Sequence, residues 1–181
     1  GAARPNLFEV SIPSFPSSVV EAWNSGDNGE NGVFKFMCKA ANLPASTVAP
    51  INVPFRGRNL KVAGDRTFDP WTITVINDVD FSIRTAFERW MNLINKSEDN
   101  AGITNPTSYQ QDMYVKQLGR AQVGGAQPTT DPTIPVLKQY RFYGSFPTNV
   151  SDIALSYDSS DTIEEFSVTM EVQWSEALNP D

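Results

Sequence analysis

Along residues 164–174, "EEFSVTMEVQW", large apolar side chains take every second position. Phe166, Val168, Met170, Val172 and Trp174 share one face of an extended segment, and Glu165, Ser167, Thr169, Glu171 and Gln173 share the other. A period of two marks a half-buried strand, so the polar face must meet either water or another chain. The same alternation recurs at Phe8, Val10 and Ile12, at Phe34, Phe36 and Cys38, and at Leu60 and Val62. It returns at Trp71, Ile73 and Val75 and at Ile153, Leu155 and Tyr157. All of these read as half-buried antiparallel strands. One segment breaks the rhythm: in "DFSIRTAFERWMNLIN", Ile83, Phe87, Trp90 and Ile94 recur at spacings of four, three and four, the stripe of an amphipathic helix over about residues 80–95. Asp80 is its expected N-cap.

"INVPFRGRNLKVAG" reads as two short extended runs around Arg56-Gly57, a hairpin over about residues 51–63. Pro44, Pro50 and Pro54 argue against a central strand there, so the hairpin is expected to be an arm. Residues 13–32, 95–110 and 119–135 are rich in Gly, Pro, Ser and Asn and read as loops. No repeat of solenoid or propeller period is found. The pattern therefore predicts a mainly β fold, an antiparallel β-sandwich or open barrel with one flanking α-helix, in a single domain over residues 1–181. Its core is expected to draw on Trp71, Ile73, Val75, Phe87, Trp90, Phe166, Val168 and Val172.

Composition changes this picture in two places. Charged residues make up 19% of the chain, below the roughly 25% usual in soluble proteins, which suggests surface hidden in contacts. The net charge of −7 is also unevenly placed. From Phe142 onward there is no Lys or Arg, whereas Asp152, Asp158, Asp161, Glu164, Glu165, Glu171, Glu176 and Asp181 all fall there. The first 141 residues carry 14 basic and 13 acidic side chains. Such regional acidity marks a solvated face, a surface kept clear of polyanions, or a face docked on a basic partner. There is no run of eighteen apolar residues and no apolar leader segment in "GAARPNLFEV", so neither a membrane span nor a secretory signal is expected, and the chain is expected to be soluble where it is made.

The inventory of reactive groups is thin. With no histidine, histidine-dependent triads and imidazole metal ligands are excluded within the chain. The single Cys38 cannot build a structural zinc site, and its apolar setting suggests a buried thiol. Glu164 and Glu165 point to opposite faces of a strand, which leaves a cross-strand pair such as Glu165 with Asp152 as the only glycosidase-like option, against the plainer reading of an acidic surface. "GRAQVGGAQ" lacks the Lys-Ser/Thr of a phosphate loop, and no cofactor is expected. The sequons at Asn95 and Asn149 are discounted for want of a secretory route. Basic residues cluster once, at Arg56, Arg58, Lys61 and Arg66 with Phe55 beside them, a solvated hairpin or a docking surface for an acidic partner.

Several stretches in order carry a specific resemblance: "RPNLFEV" at 4–10, "CKAANLP" at 38–44, "VAGDRTFDPWTITVIND" at 62–78, "FERWMNLIN" at 87–95 and "FPTNVSDIALSYDSSDTIEEFSVTMEVQW" at 146–174. Together they resemble the tail tube proteins of contractile-tailed bacteriophages over almost the whole chain, most specifically in "AGDRTFDPW". Residues 13–32 and 119–135 look like insertions relative to the compact members. The resemblance implies a non-enzymatic virion protein whose subunits close into hexameric rings that stack into a hollow tube. Genome DNA passes through the lumen without specific binding. The implied partners are further copies of the chain, the tail sheath protein, baseplate and tail terminator proteins and the tape measure protein. Assembly takes place in the host cytoplasm, and no membrane insertion is implied.

On that resemblance Glu165, Ser167, Thr169, Glu171 and Gln173 are the candidate lumen-facing residues. The alternation itself leaves open the sheath side or a neighbouring subunit, because it does not orient the sheet in a ring. Phe55, Arg56, Arg58, Lys61, Asp65 and Arg66 are the candidate contacts between rings. In "GDRTFDPW", Gly64 suits a turn and Trp71 anchors its strand. The alternatives are the tube of a tailocin or type VI-like injection device, a monomeric β-sandwich binding module, and last a carboxylate-dependent glycosidase. Sedimentation, packaged DNA and a hydrolase screen separate these in turn.

Overall fold

A computed structural model describes residues 6–13, 15, 16, 19, 38–119, 136–158 and 162–178. Phe34 and Phe36, and most of the predicted loops at 13–32 and 119–135, lie outside the described residues. The strands are β1 (Phe8–Ser11), β2 (Cys38–Ala41), β3 (Ser46–Phe55), β4 (Arg58–Phe68), β5 (Trp71–Ile76), β6 (Gln111–Leu118), β7 (Val136–Val150), β8 (Glu165–Glu171) and β9 (Trp174–Leu178). Helix α1 (Ser82–Ile94) lies between β5 and β6, and a single 3₁₀ turn, Pro106–Ser108, interrupts the loop that follows it.

Strand β7 organises the fold. Its first part, up to Ser145, pairs antiparallel with β6 and β9, and its last part, from Phe146, pairs with β8. The hydrogen-bonded path runs β1-β6-β7-β8-β5-β2, with β9 alongside β7. The bend sits at Gly144, whose φ of +59° is the left-handed region that suits glycine. Its N–H donates to Asp112 Oδ1 at 3.2 Å, and the β6–β7 register shifts there. The sheet thereby folds over, and Trp71 of β5 stacks on Phe142 of β7 with centroids 4.4 Å apart. One core results, to which β1, β5, β6, β7, β8 and α1 all contribute. Trp71, Ile73, Val75, Phe87, Trp90, Phe166, Val168 and Val172 are buried.

The apolar stripe of α1 turns inward through Ile83, Ala86, Phe87 and Trp90. Phe15, inside a stretch that reads as loop, meets Phe87 and Trp90 edge-on at 6.0 and 5.6 Å. Both buried indoles satisfy their N–H: Trp71 Nε1 donates to the Asn42 carbonyl and Trp90 Nε1 to the Tyr109 carbonyl, each at 2.6 Å. That satisfaction is what makes such burial affordable in free energy.

Five local expectations fail. The strand through Leu60 and Val62 is not half-buried, since both side chains are exposed. Asp80 is not the N-cap; Phe81, at φ 54°, occupies that position without a side-chain cap, and Ser82 Oγ donates to the Asp78 carboxylate instead. Ile153, Leu155 and Tyr157 form no strand, because the ladder on β8 ends where Ser151 N–H donates to the Ser167 carbonyl. Alternation without a partner strand has nothing to pair with. Trp174 does not join Phe166 and its neighbours inside: the strand breaks at Val172–Gln173, and β9 begins with Trp174 on the surface, 44% exposed and stacked on Tyr143 at 3.7 Å. Gly64 is not in a turn but within β4, where a Cβ would lie 2.6 Å from the Ala49 carbonyl oxygen. The bulge here lies in β4, where Gly64 and Asp65 together stand opposite Ala49 of β3, and it accompanies that close approach.

Candidate assembly surfaces

The hairpin is longer than its sequence signal, running from Ser46 to Phe68 as a separate two-stranded ribbon. Arg56 and Gly57 both have positive φ, 49° and 79°, as a two-residue type I′ turn requires. Every residue of β3 is exposed, and so is all of β4 except Gly64 and Phe68, which are half-buried. Directly opposed pairs share a face, so Ile51 with Val62, Val53 with Leu60 and Phe55 with Arg58 form one side, while Asn52 with Lys61 and Pro54 with Asn59 form the other. The first side is apolar, and its five large side chains are 43–58% exposed. Burial of such a chain from full exposure contributes about 1.5–3 kcal/mol, so covering this face is worth roughly half that for each. The Arg56 guanidinium lies over the Phe55 ring at 5.3 Å. Arg58, Lys61, Asp65 and Arg66 are all exposed, and no Asp65–Arg66 ion pair occurs among the described residues.

The outward face of β8 carries Glu165, Ser167, Thr169 and Glu171, all half-buried, with Gln173 exposed just beyond. Opposite them on β5 stand Ile76, Thr74 and Thr72, in register with Glu165, Ser167 and Thr169. The face is therefore dressed mainly in hydroxyls. Glu165 is ion-paired with Lys39. Ser151 Oγ accepts the Ser167 N–H at 2.8 Å.

The other outward face, on β6, β7 and β9, is built differently. Arg141 is ion-paired with Asp112 at 2.5 Å and lies over the rings of Tyr143 and Tyr114 at 4.3 and 5.5 Å. The bond to Asp112 raises its already high pKa further. Tyr143 stacks on Trp174 and donates its hydroxyl to Glu176 at 3.0 Å, and Lys116 pairs with Glu9 at 3.6 Å. No sequence pattern had singled out this ladder, because its members come from four strands, β1, β6, β7 and β9, that meet only in the folded sheet. Cys38 is buried, donates to the Ala40 carbonyl at 3.7 Å, and has its pKa pushed up to about 12 by burial. Among the described residues no group of three or more acidic, Cys or His side chains is placed to hold a metal ion.

The described residues form a folded-over β-sandwich with a flanking helix, a projecting ribbon and two unlike sheet faces, and the match to a family model sets the chain in the tail-tube class of structural proteins. The chain belongs to the phage tail tube protein family, whose model matches residues 3–175. It is 34% identical over 174 residues to the tail tube protein gp19 of Enterobacteria phage T4, an alignment covering 96% of this chain and 91% of that protein. Its fold is shared with the tube-terminating cap of the anti-feeding prophage, at TM-score 0.65 and 14% identity, over 99% of this chain and 93% of that one. It is also shared with the sheath/tube terminator of the extracellular contractile injection system PVC in its extended state, at TM-score 0.63 and 14% identity, over 98% and 97%.

Proposed function

We propose that this chain is the protomer of hexameric rings that stack into the inner tube of a contractile phage tail, with a channel through which genome DNA passes into the host. The observation that carries this reading is the ribbon: about twenty residues stand clear of the core with one apolar face in water, a surface that only a neighbour covers. Phe55, Arg56, Arg58, Lys61, Asp65 and Arg66 then make contacts between rings.

Of the two outward sheet faces, the one on β8 suits the bore. DNA carries roughly one charge per 1.7 Å of axis, so a wall of cations and stacked rings would hold it. The β6–β7–β9 face, with Arg141, Lys116, Tyr143 and Trp174, has that stickier chemistry and suits protein contact. The β8 face offers hydroxyls, the neutralised Glu165 and the carboxylate of Glu171. At physiological salt screening acts over roughly 8 Å, so such a wall repels the duplex at close range and leaves its passage free. Further partners are the sheath, baseplate, terminator and tape measure proteins, and assembly takes place in the host cytoplasm.

A tube of a tailocin-like device is the second reading, supported by the shared fold with the anti-feeding prophage and PVC components. The 34% identity to a phage tube protein, against 14% to those components, favours the phage. Negative-stain microscopy of the purified protein tests the proposal. Rings or hollow rods are expected, and the Arg56→Glu, Arg58→Glu variant should give folded protein that does not elongate. Monomers at every concentration in sedimentation would rule out a tube protomer.

A further inference from the structure

We infer that the cleft formed by residues 153–156 and 162–165 is the seat for the ribbon tip of a second copy of this chain. This rests on the tube reading and gives the ribbon its partner surface. Between β7 and β8 the chain leaves the ladder and turns several large apolar side chains outward: Leu155 is 84% exposed, Ile163 is 66% exposed and Tyr157 is fully exposed. Leu155 and Ile163, with Ile153, line an open cleft of about 530 Å³ that Glu164 also borders. That volume falls within the range of about 300–1,000 Å³ typical of sites that enclose a ligand group. Asp152, Asp158, Asp161, Glu164 and Glu165 are the charges of residues 152–165 in the sequence, and no Lys or Arg follows Arg141 in the chain. Two described cations border it and both are engaged, Lys39 with Glu165 and Arg84 with Glu88 and the Ser151 carbonyl.

The ribbon presents the complement. Its apolar face is Ile51, Val53, Phe55, Leu60 and Val62, and its tip carries Arg56 and Arg58. Apolar surface thus meets apolar surface, and cation meets anion, in the same arrangement. Among the described residues the match is unused within one chain, because β3 and β4 pack extensively only on each other. A contact between two different patches of identical chains is head-to-tail, and it propagates as a ring or a filament. A ribbon that reaches out from one subunit and seats on the next accounts for both exposed surfaces at once.

The test places one cysteine on each side in a Cys38→Ala background, Phe55→Cys and Leu155→Cys, and treats assembled tubes with a short bifunctional maleimide. A ladder of covalent dimers, trimers and higher species that needs both cysteines is the expected result. A second measurement reverses charge. Asp152→Lys, Asp158→Lys and Glu164→Lys together should shorten tubes at least tenfold, and adding Arg56→Glu with Arg58→Glu should restore at least half the length. Normal tubes without the cross-link, or reversed charges that fold but give no mutual rescue, overturn the pairing and leave the tube reading standing. If the Leu155→Cys variant instead cross-links to a sheath or other tail protein in whole tails, the cleft belongs to that protein and the pairing falls. Failure of the unaltered chain to assemble at all overturns both.

Discussion

Single side chains in this molecule are placed by whether their polar atoms find partners. Trp71 and Trp90 are buried because a backbone carbonyl awaits each indole N–H, while Trp174, a residue of the same type, stays outside on Tyr143. Cys38 is the case with a measurable titration. Burial raises its pKa from 9.0 to about 12, with the bond to Ala40 pulling weakly the other way. Between those values the unfolded chain gives up a proton that the folded chain retains, so native stability is full below about pH 9 and declines as pH rises toward 12. Thermal melts from pH 8 upward should therefore show a steeper alkaline loss for the native sequence than for Cys38→Ala. Equal slopes would mean that the thiol titrates normally. At neutral pH the thiol should resist maleimide until the protein is denatured.

At the scale of elements, the ribbon depends on its turn. Gly57 at φ 79° has open space around its Cβ position, so Gly57→Val is disfavoured by backbone conformation alone, at about 1–2 kcal/mol. Because the ribbon is separate from the core, we expect this variant to keep the unfolding temperature of the sandwich and to lose tube length. A large fall in melting temperature would show that the ribbon is part of the folding unit. The helix and the β5 and β8 strands were legible in the sequence because each buries one clean stripe against a partner. Strands β6 and β7 were not: Tyr140 and Phe142 face inward while Arg141 and Tyr143 face outward, so aromatic rings fall on both sides and the alternation blurs. Alternation misled at Ile153, Leu155 and Tyr157, where the pattern is present and the pairing strand is absent. The candidate surfaces were half legible. Arg56-Gly57 announced the ribbon, but its reach to Ser46 and Phe68 and the apolar stripe along it emerge only from the cross-strand register.

For the whole molecule, the uneven charge becomes a matter of which surfaces face which partners. The basic tip of the ribbon and the acidic stretch from Phe142 onward belong to separate parts of one chain, a division that a monomer does not need and that the proposed stack would use. The orientation of the sheet in a ring is testable through Glu171. In assembled tubes a Glu171→Cys side chain should resist a maleimide reagent too bulky to enter the bore and should react fully once protomers are dissociated. Rapid labelling of intact tubes would put the β8 face on the outside. Lastly, a single continuous strand, β7, belongs to both halves of the sandwich, held by β6 and β9 along its first part and by β8 along its last. Neither half can open while that strand keeps its ladders, so its central amides should exchange with deuterium only through global unfolding. The protomer then melts as one cooperative unit, and a subunit is either whole or lost to the tube.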